Sequence, residues 1–206
     1  MTLSRRELFA AWASGLTLTA GLAAELFAAD RLDYEVPGTF PVIQQVGNTC
    51  WATTGTMMYN WKNKSTLAVV DLMKKAGAPY ADLYSKGAVL PFPQVPAYFA
   101  FLGLHAEAPA SYPPSEIGKM LTKSGLLWAT TMPGRASCRM LVHARIIRGI
   151  HGDGDAAATN ITVVDPATGM GYFEKLSAFY QEFEQYAKSE NACDPNEPLQ
   201  PQLLHF

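Results

Sequence analysis

The chain has 206 residues, of which 49% are hydrophobic and 17% are charged, and its formal net charge at pH 7 is -2. This composition is typical of a globular protein that is long enough for one domain with a full core, or for two small lobes sharing a cleft. The near-neutral charge gives no electrostatic basis for binding nucleic acid or an anionic membrane surface. Three cysteines are too few for a disulfide scaffold, and their odd number leaves at least one thiol unpaired.

Residues 1–29 differ from the rest of the chain and are predicted to be a twin-arginine export signal. The arginine pair of "SRREL" precedes an uncharged stretch that ends at Ala24, followed by small residues suited to cleavage. This stretch is shorter than the ~20 residues of a membrane helix, so we expect no stable membrane insertion after signal removal. A folded helix with Ser4 and Glu7 as a capping box is the alternative. The signal predicts export to a bacterial periplasm or to the medium.

The next part of the chain is predicted to be helical. Apolar residues recur at helical spacing from about Cys50 to Trp61. A second helix is predicted over Thr66–Ala76, with Ser65 as its cap and Gly77 as its end. Prolines then restrict the chain to short helices, one around Val95–Leu102 and one in "SEIGKMLTKSG".

After Gly125 the pattern changes to strands. "LLWATTM", "CRMLVHARIIRGI" and "NITVVDP" are rich in β-branched and apolar residues. The polar loop "HGDGDAAATN" predicts that the last two strands form an antiparallel hairpin. A helix over Phe173–Lys188 and an irregular tail from Asn191 follow. We therefore expect an α+β fold in which a helical lobe (about 42–125) packs against an antiparallel β lobe (about 126–190).

Four polar residues have the types and the order of a thiol active site. Cys50 is predicted at the N-terminus of a helix, which favours a thiolate, and His143 is predicted within a strand, where it could act as its base. Asp165 ends the next strand, where it could orient the imidazole. Gln44, six residues before Cys50, could donate to an oxyanion together with the Cys50 N–H, and Gln45 is an alternative donor. A buried, inert cysteine remains the simplest alternative reading of Cys50 alone.

The other three histidines have weaker claims to be the base. His105 follows a short helix and His205 lies in the tail. His151 is predicted at the tip of the hairpin, mobile and solvated, and it is the main alternative to His143.

The motifs "QQVGNTCWA", "GLLWATT", "HARIIRGIHGDG" and "VVDPATG" resemble those of the papain-like cysteine peptidases. The likeness is strongest to the compact bacterial branch that includes secreted effector proteases and, more distantly, bacteriocin-leader peptidases. It implies a papain-like fold over residues 30–206, with Cys50 as nucleophile, His143 as base, Asp165 as orienting residue and Gln44 as oxyanion donor. The chain departs from this group at Leu126, where proline is common, and it carries an aspartate where papain has asparagine.

The resemblance implies a peptidase that cleaves a protein or peptide bound in a cleft between the lobes, through a thioester acyl-enzyme. The same residues could instead cut a peptidoglycan amide or deamidate glutamine, and a non-catalytic binding module could keep the fold. No metal, nucleotide or flavin motif occurs in the sequence, so we expect no cofactor. The sequence does not assign an inhibitor or immunity protein as a partner. Cys138 and Cys193 could form a disulfide or be two unrelated thiols.

Overall fold

A computed structural model of the chain describes residues 31–133, 142–193 and 201–206, with the backbone alone for 190–193. Within these residues the predicted α+β class is confirmed. The α-helices are α1 (Cys50–Asn63), α2 (Val69–Ala76), α3 (Ala78–Ser85), α4 (Val95–Leu102), α5 (Pro114–Ser124) and α6 (Leu176–Cys193), with one 3-10 turn at Phe92–Gln94. The strands are β1 (Leu32–Glu35), β2 (His105–Ala106), β3 (Leu127–Thr131), β4 (His143–Gly152), β5 (Asn160–Asp165), β6 (Met170–Lys175) and β7 (Leu203–His205).

The strands form one antiparallel sheet with β4 near its centre. Its order is β2-β7-β3-β4-β5-β6, and β1 pairs with β4 beside this path. Along one edge β4 pairs first with β3 and then with β1, while its other edge pairs with β5. The predicted β4–β5 hairpin is therefore confirmed.

Helix α1 packs directly on the sheet. Its residues from Trp51 to Met58 are buried without interruption, and Met57 and Met58 are fully enclosed. The Thr54 hydroxyl donates to the Ala144 carbonyl at 3.0 Å, which ties α1 to β4 one residue beyond His143. The helix that begins at Cys50 and the strand that begins at His143 are thus fixed to each other.

The sheet extends beyond residues 126–190, because β1, β2 and β7 all join it. The prediction of an irregular tail is wrong at Leu203–His205, which pairs with both β2 and β3. Buried Gln202 holds this tail in place: its side-chain amide donates to the Thr130 carbonyl at 3.2 Å and to the Phe183 carbonyl at 2.7 Å.

Two helix boundaries differ from the prediction. Helix α2 begins at Val69 and has no side-chain cap, so Ser65 is not its cap. Buried Asn60 explains this: its Oδ1 accepts hydrogen bonds from the Ser65 hydroxyl and from the Leu67 N–H, which hold the chain in a loop. Helix α3 was not predicted individually, since the stretch from Pro79 onwards was expected to hold only short helices and none was placed at Ala78–Ser85. Proline is tolerated in the first helical turn, where its missing N–H has no partner to lose.

The last helix begins at Leu176, and the prediction that it starts at Phe173 is wrong. Residues Met170–Lys175 instead form β6, which pairs with β5 along its whole length. The strand is continued by the helix without an intervening loop. This places Tyr172 and Glu174 on the sheet beside Asp165.

Several predictions concern residues outside this description. Residues 1–29 and Cys138 lie outside the described residues, and the Cys193 side chain is likewise not described. Within the part of the chain that the structure describes, no helix combines the length and the apolar character needed to cross a membrane.

His151 links strands β1 and β4. Its Nδ1 lies 2.8 Å from Asp33 Oδ1 and its Nε2 lies 3.2 Å from Glu35 Oε2, both on β1. Thr162 on β5 donates to the same Glu35 oxygen, and Arg148 on β4 pairs with the other oxygen at 3.0 Å. His151 lies at the end of the β4–β5 hairpin as predicted, opposite Asn160, but its side chain is not free, because it is bound by Asp33 and Glu35 of β1.

The His151 contacts predict a pH-dependent stability. Burial lowers the pKa of His151, but the bonds to Asp33 and Glu35 outweigh it and raise the pKa above 6.5. The imidazolium contribution to stability is therefore complete below pH 6.5 and is lost as the pH rises through the folded pKa. We expect His151→Gln to lower the free energy of unfolding more at pH 6 than at pH 9, as measured by urea denaturation. The His105→Gln variant is the control, and a His151→Gln difference that does not depend on pH would contradict the prediction.

Candidate active site

Cys50 is the first residue of α1 and is half-buried. Trp51 anchors this end of the helix, since its indole N–H donates to the Ala88 carbonyl at 3.0 Å. The Cys50 Sγ lies 3.8 Å from the Val142 carbonyl, immediately before β4. The free N–H groups of a first helical turn favour negative charge, so this position suits a thiolate.

His143 begins β4 and lies between Cys50 and Asp165. Its Nε2 is 2.7 Å from Asp165 Oδ1, and both side chains are largely buried, with 15% and 12% exposed. Because Nε2 is engaged by the carboxylate, Nδ1 is the ring nitrogen left to face the Cys50 sulfur. Burial lowers the pKa of His143, but hydrogen bonds to Asp165 and to Cys50 raise it, and the net pKa is about 9. The imidazole is therefore protonated at neutral pH.

Asp165 ends β5 and is fixed by several donors. Its Oδ1 accepts from His143 Nε2 and, at 2.7 Å, from the Ala167 N–H, while its Oδ2 lies 3.3 Å from the Tyr172 hydroxyl. Burial raises the pKa of Asp165, but the hydrogen bonds from His143 and from the Ala167 N–H, together with the charges of His143 and Arg145, outweigh it and lower the pKa below 3.8. At neutral pH the Asp165 carboxylate is therefore ionised while the His143 imidazole is protonated.

The segment before α1 is attached to the turn that follows Asp165. The Gln45 N–H donates to the Pro166 carbonyl at 2.8 Å, and the Gln44 side-chain amide donates to the Ala167 carbonyl at 3.3 Å. Gly169 makes room for this contact, because a Cβ there would lie 2.9 Å from the Gln44 Cβ. The contact with Ala167 uses one of the two N–H groups of Gln44. The Gln45 amide donates instead to the Gly47 carbonyl within its own loop, at 2.9 Å.

The other histidines lie away from Cys50. His105 and His205 face each other across β2 and β7, and His205 Nε2 lies 2.7 Å from Glu107 Oε1. His151 is eight residues beyond His143 on the same strand, about 26 Å away at ~3.3 Å per residue. The geometry thus favours His143 over His151 as the base of a Cys50 nucleophile.

An apolar cleft of about 320 Å³ opens beside Cys50. Its walls come from α1, the 89–92 segment, α4, β3 and β4, and include Trp51, Val89, Phe92, Phe99, Trp128 and Ala144. Asn48 and Thr130 add polar groups to the rim and wall. A cleft of this size and character suits an apolar side chain of a bound chain.

A group of buried charges next to Asp165 was not predicted from the sequence. The Arg145 side chain is 5% exposed and bonds to Glu174 at 2.9 Å and to Glu182 at 2.8 Å. A signal was present, since Arg145 follows His143 by two residues in an apolar strand and so shares its face. Its contact with Glu174 was not foreseen because the predicted helix began at Phe173 and so took Glu174 out of the sheet.

Among the described residues, no group of three or more His, Cys, Asp or Glu side chains is arranged to hold a metal ion. The Cys50 thiol, the His143 imidazolium and the Asp165 carboxylate lie in that order along the start of β4 and the end of β5. Such an arrangement can generate a nucleophile and return a proton to a leaving group.

A family model described as papain-like cysteine protease AvrRpt2 matches residues 31–184, about three quarters of the chain. The match covers α1, the whole of β3–β6 and the first half of α6, and so includes all four residues that the sequence singled out. A comparison with curated proteins found no match.

Proposed function

We propose that the peptidase activity of this chain, which belongs to the papain-like cysteine protease AvrRpt2 family, uses Cys50, His143 and Asp165 as a catalytic triad. The observation that carries the proposal is that the imidazole lies between the sulfur and the carboxylate. Asp165 Oδ1 lies 2.7 Å from His143 Nε2, and the Cys50 sulfur, which lies 3.8 Å from the carbonyl of the preceding Val142, helps to raise the pKa of His143.

The reaction begins from a charged pair. Since His143 has a pKa of about 9, it is an imidazolium at neutral pH, and an imidazolium beside the sulfur favours the thiolate. The thiolate attacks the peptide carbonyl carbon and forms a C–S bond, while the carbonyl oxygen becomes an oxyanion. The Cys50 backbone N–H and the second N–H of the Gln44 amide are proposed to bind that oxyanion, each typically worth about 2.7–4 kcal/mol.

Collapse of the intermediate breaks the C–N bond. His143 gives its proton to the leaving amine, so a thioester on Cys50 and a neutral imidazole remain. Water then attacks the thioester with His143 as general base, which releases the acid product and restores the thiolate–imidazolium pair. Asp165 keeps Nδ1 directed at the sulfur and stabilises the ring whenever it is charged.

The substrate is proposed to be a protein with an apolar side chain near the cleaved bond. The apolar walls next to Cys50 support this, because burying such a side chain contributes about 1.5–3 kcal/mol. The substrate chain would run along the cleft between the helices and the sheet, with its carbonyl over the N-terminus of α1.

Mass spectrometry of reaction products tests the function. The protein is incubated separately with denatured proteins and with peptidoglycan fragments, and enzyme alkylated at Cys50 with iodoacetamide is the control. New peptide termini that disappear with the alkylated enzyme are expected. Cleavage only of cell-wall amides would indicate an amidase, a 1 Da gain at glutamine would indicate a deamidase, and no product would indicate a binding module.

We also propose that residues 1–29 direct export, on the basis of the arginine pair and the uncharged stretch that follows it. Replacing Arg5 and Arg6 together with lysine is expected to leave the protein in the cytoplasm of an expressing bacterium. Export unaffected by that replacement would contradict a twin-arginine route.

A further inference from the structure

Tyr172 on β6 connects the proposed triad to the buried charges beneath it. Its hydroxyl lies 3.3 Å from Asp165 Oδ2 and 3.4 Å from Arg145 Nη1. A guanidinium has only donors, so the Tyr172 oxygen accepts from Arg145 and its proton is directed to the carboxylate. Burial raises the pKa of Tyr172 against the opposing effect of Arg145, so the hydroxyl keeps its proton at neutral pH.

Arg145 is itself held in one position. Its Nη1 bonds to Glu174 of β6 and its Nη2 bonds to Glu182 of α6. The guanidinium also lies over the Phe179 ring, with its central carbon 5.6 Å from the ring centre. Contacts on three sides leave the donor that faces Tyr172 little freedom.

Strand register places these groups on one face of the sheet. Tyr172 lies opposite Val163, and Ile147 lies opposite the same residue on the other side. Residues two apart along a strand share a face, so Asp165 and Arg145 lie on the face of Tyr172. The contact between the tyrosine and the carboxylate therefore follows from backbone pairing.

We propose that Tyr172, held by Arg145, is a positioning residue that fixes the Asp165 carboxylate so that Oδ1 stays aligned with His143 Nε2. The terminal torsion of an aspartate is broad, and a carboxylate held by one oxygen alone can rotate about it. Tyr172 holds the second oxygen. The inference rests on the proposed triad and extends it to a residue that does not touch the substrate.

The test is Tyr172→Phe, which removes one hydroxyl from a partly exposed ring. We expect kcat/KM to fall about three- to tenfold, mostly in kcat, as for the loss of one long bond to a charged group. The matched control is Tyr180→Phe, whose hydroxyl donates to the Tyr112 carbonyl away from the triad. Thermal unfolding midpoints of both variants report on folding.

The direction in which the alkaline limb of the pH–activity profile of Tyr172→Phe shifts distinguishes two roles of Tyr172. If Tyr172 aligns the carboxylate, its loss weakens the His143–Asp165 bond, and the alkaline limb of the pH profile moves to lower pH. If Tyr172 only draws charge from the carboxylate, its loss makes Asp165 a stronger acceptor, and that limb moves to higher pH. A shift to higher pH, or a profile equal to that of Tyr180→Phe, would overturn the proposal.

The same profile is recorded for alkylation of Cys50 by iodoacetamide, which needs no substrate. A wild-type protein that hydrolyses nothing but still shows an alkaline inflection near the pKa of His143 would refute the peptidase function alone. The shift of this alkylation inflection in Tyr172→Phe would then still test the positioning role of Tyr172.

Discussion

The Cys50→Ala variant is expected to show no peptidase activity above background, and His143→Ala is expected to lower kcat/KM by about 10⁴-fold or more. The first change removes the sulfur atom that is proposed to form the thioester. The second removes both the counter-charge of the thiolate and the proton given to the leaving amine. Steady-state kinetics on a substrate identified from the product analysis measures both losses.

His151→Ala is the matched control for the histidine change. It deletes an imidazole from the same strand but about 26 Å from His143, so kcat/KM should remain near that of the wild type. Cys50→Ala should keep a near-normal unfolding midpoint, because a half-buried thiol contributes little to packing. Equal losses for the two histidine variants would contradict the assignment of His143 as base.

The elements that position the triad could be predicted because their signals are local. Helix α1 carries a helical repeat, and the β4–β5 hairpin has apolar strands on either side of a polar turn. An antiparallel hairpin brings a residue at the start of one strand near the end of the next. His143 and Asp165 were therefore expected to meet, and their side chains lie in contact.

The remaining elements depend on contacts between distant parts of the chain. Strand β7 has three residues after a proline-rich stretch of sequence, and its pairing with β2 and β3 makes it a strand. In β6 the apolar residues also fit the helical repeat of α6, which follows without a turn. The helix predicted from Phe173 included Glu174, and no strand was predicted at Tyr172, so neither residue was expected on the sheet. The support for Asp165 was therefore missed, although the three residues of the proposed triad were named from the sequence.

Arg145→Met is expected to destabilise the protein by about 3–5 kcal/mol, the usual cost of removing one partner from a buried ion pair. The methionine fills similar volume, but it leaves the Glu174 carboxylate, 14% exposed, without its cation. Urea denaturation at pH 7 measures the loss. Arg148→Met is the matched control on the same strand, since its pair with Glu35 is partly exposed and should contribute less than about 1 kcal/mol.

The pH dependence of this loss identifies its cause. Burial raises the pKa of Glu174, and Arg145 opposes that effect. Without Arg145 the pKa rises further, so the carboxyl group becomes neutral at a higher pH and its burial costs less below that pH. The destabilisation by Arg145→Met should therefore be smaller at pH 5 than at pH 7, and adding Glu174→Gln should restore part of the stability at pH 7. An equal loss of unfolding free energy at both pH values would mean that packing is the cause, because methionine adds no titratable group.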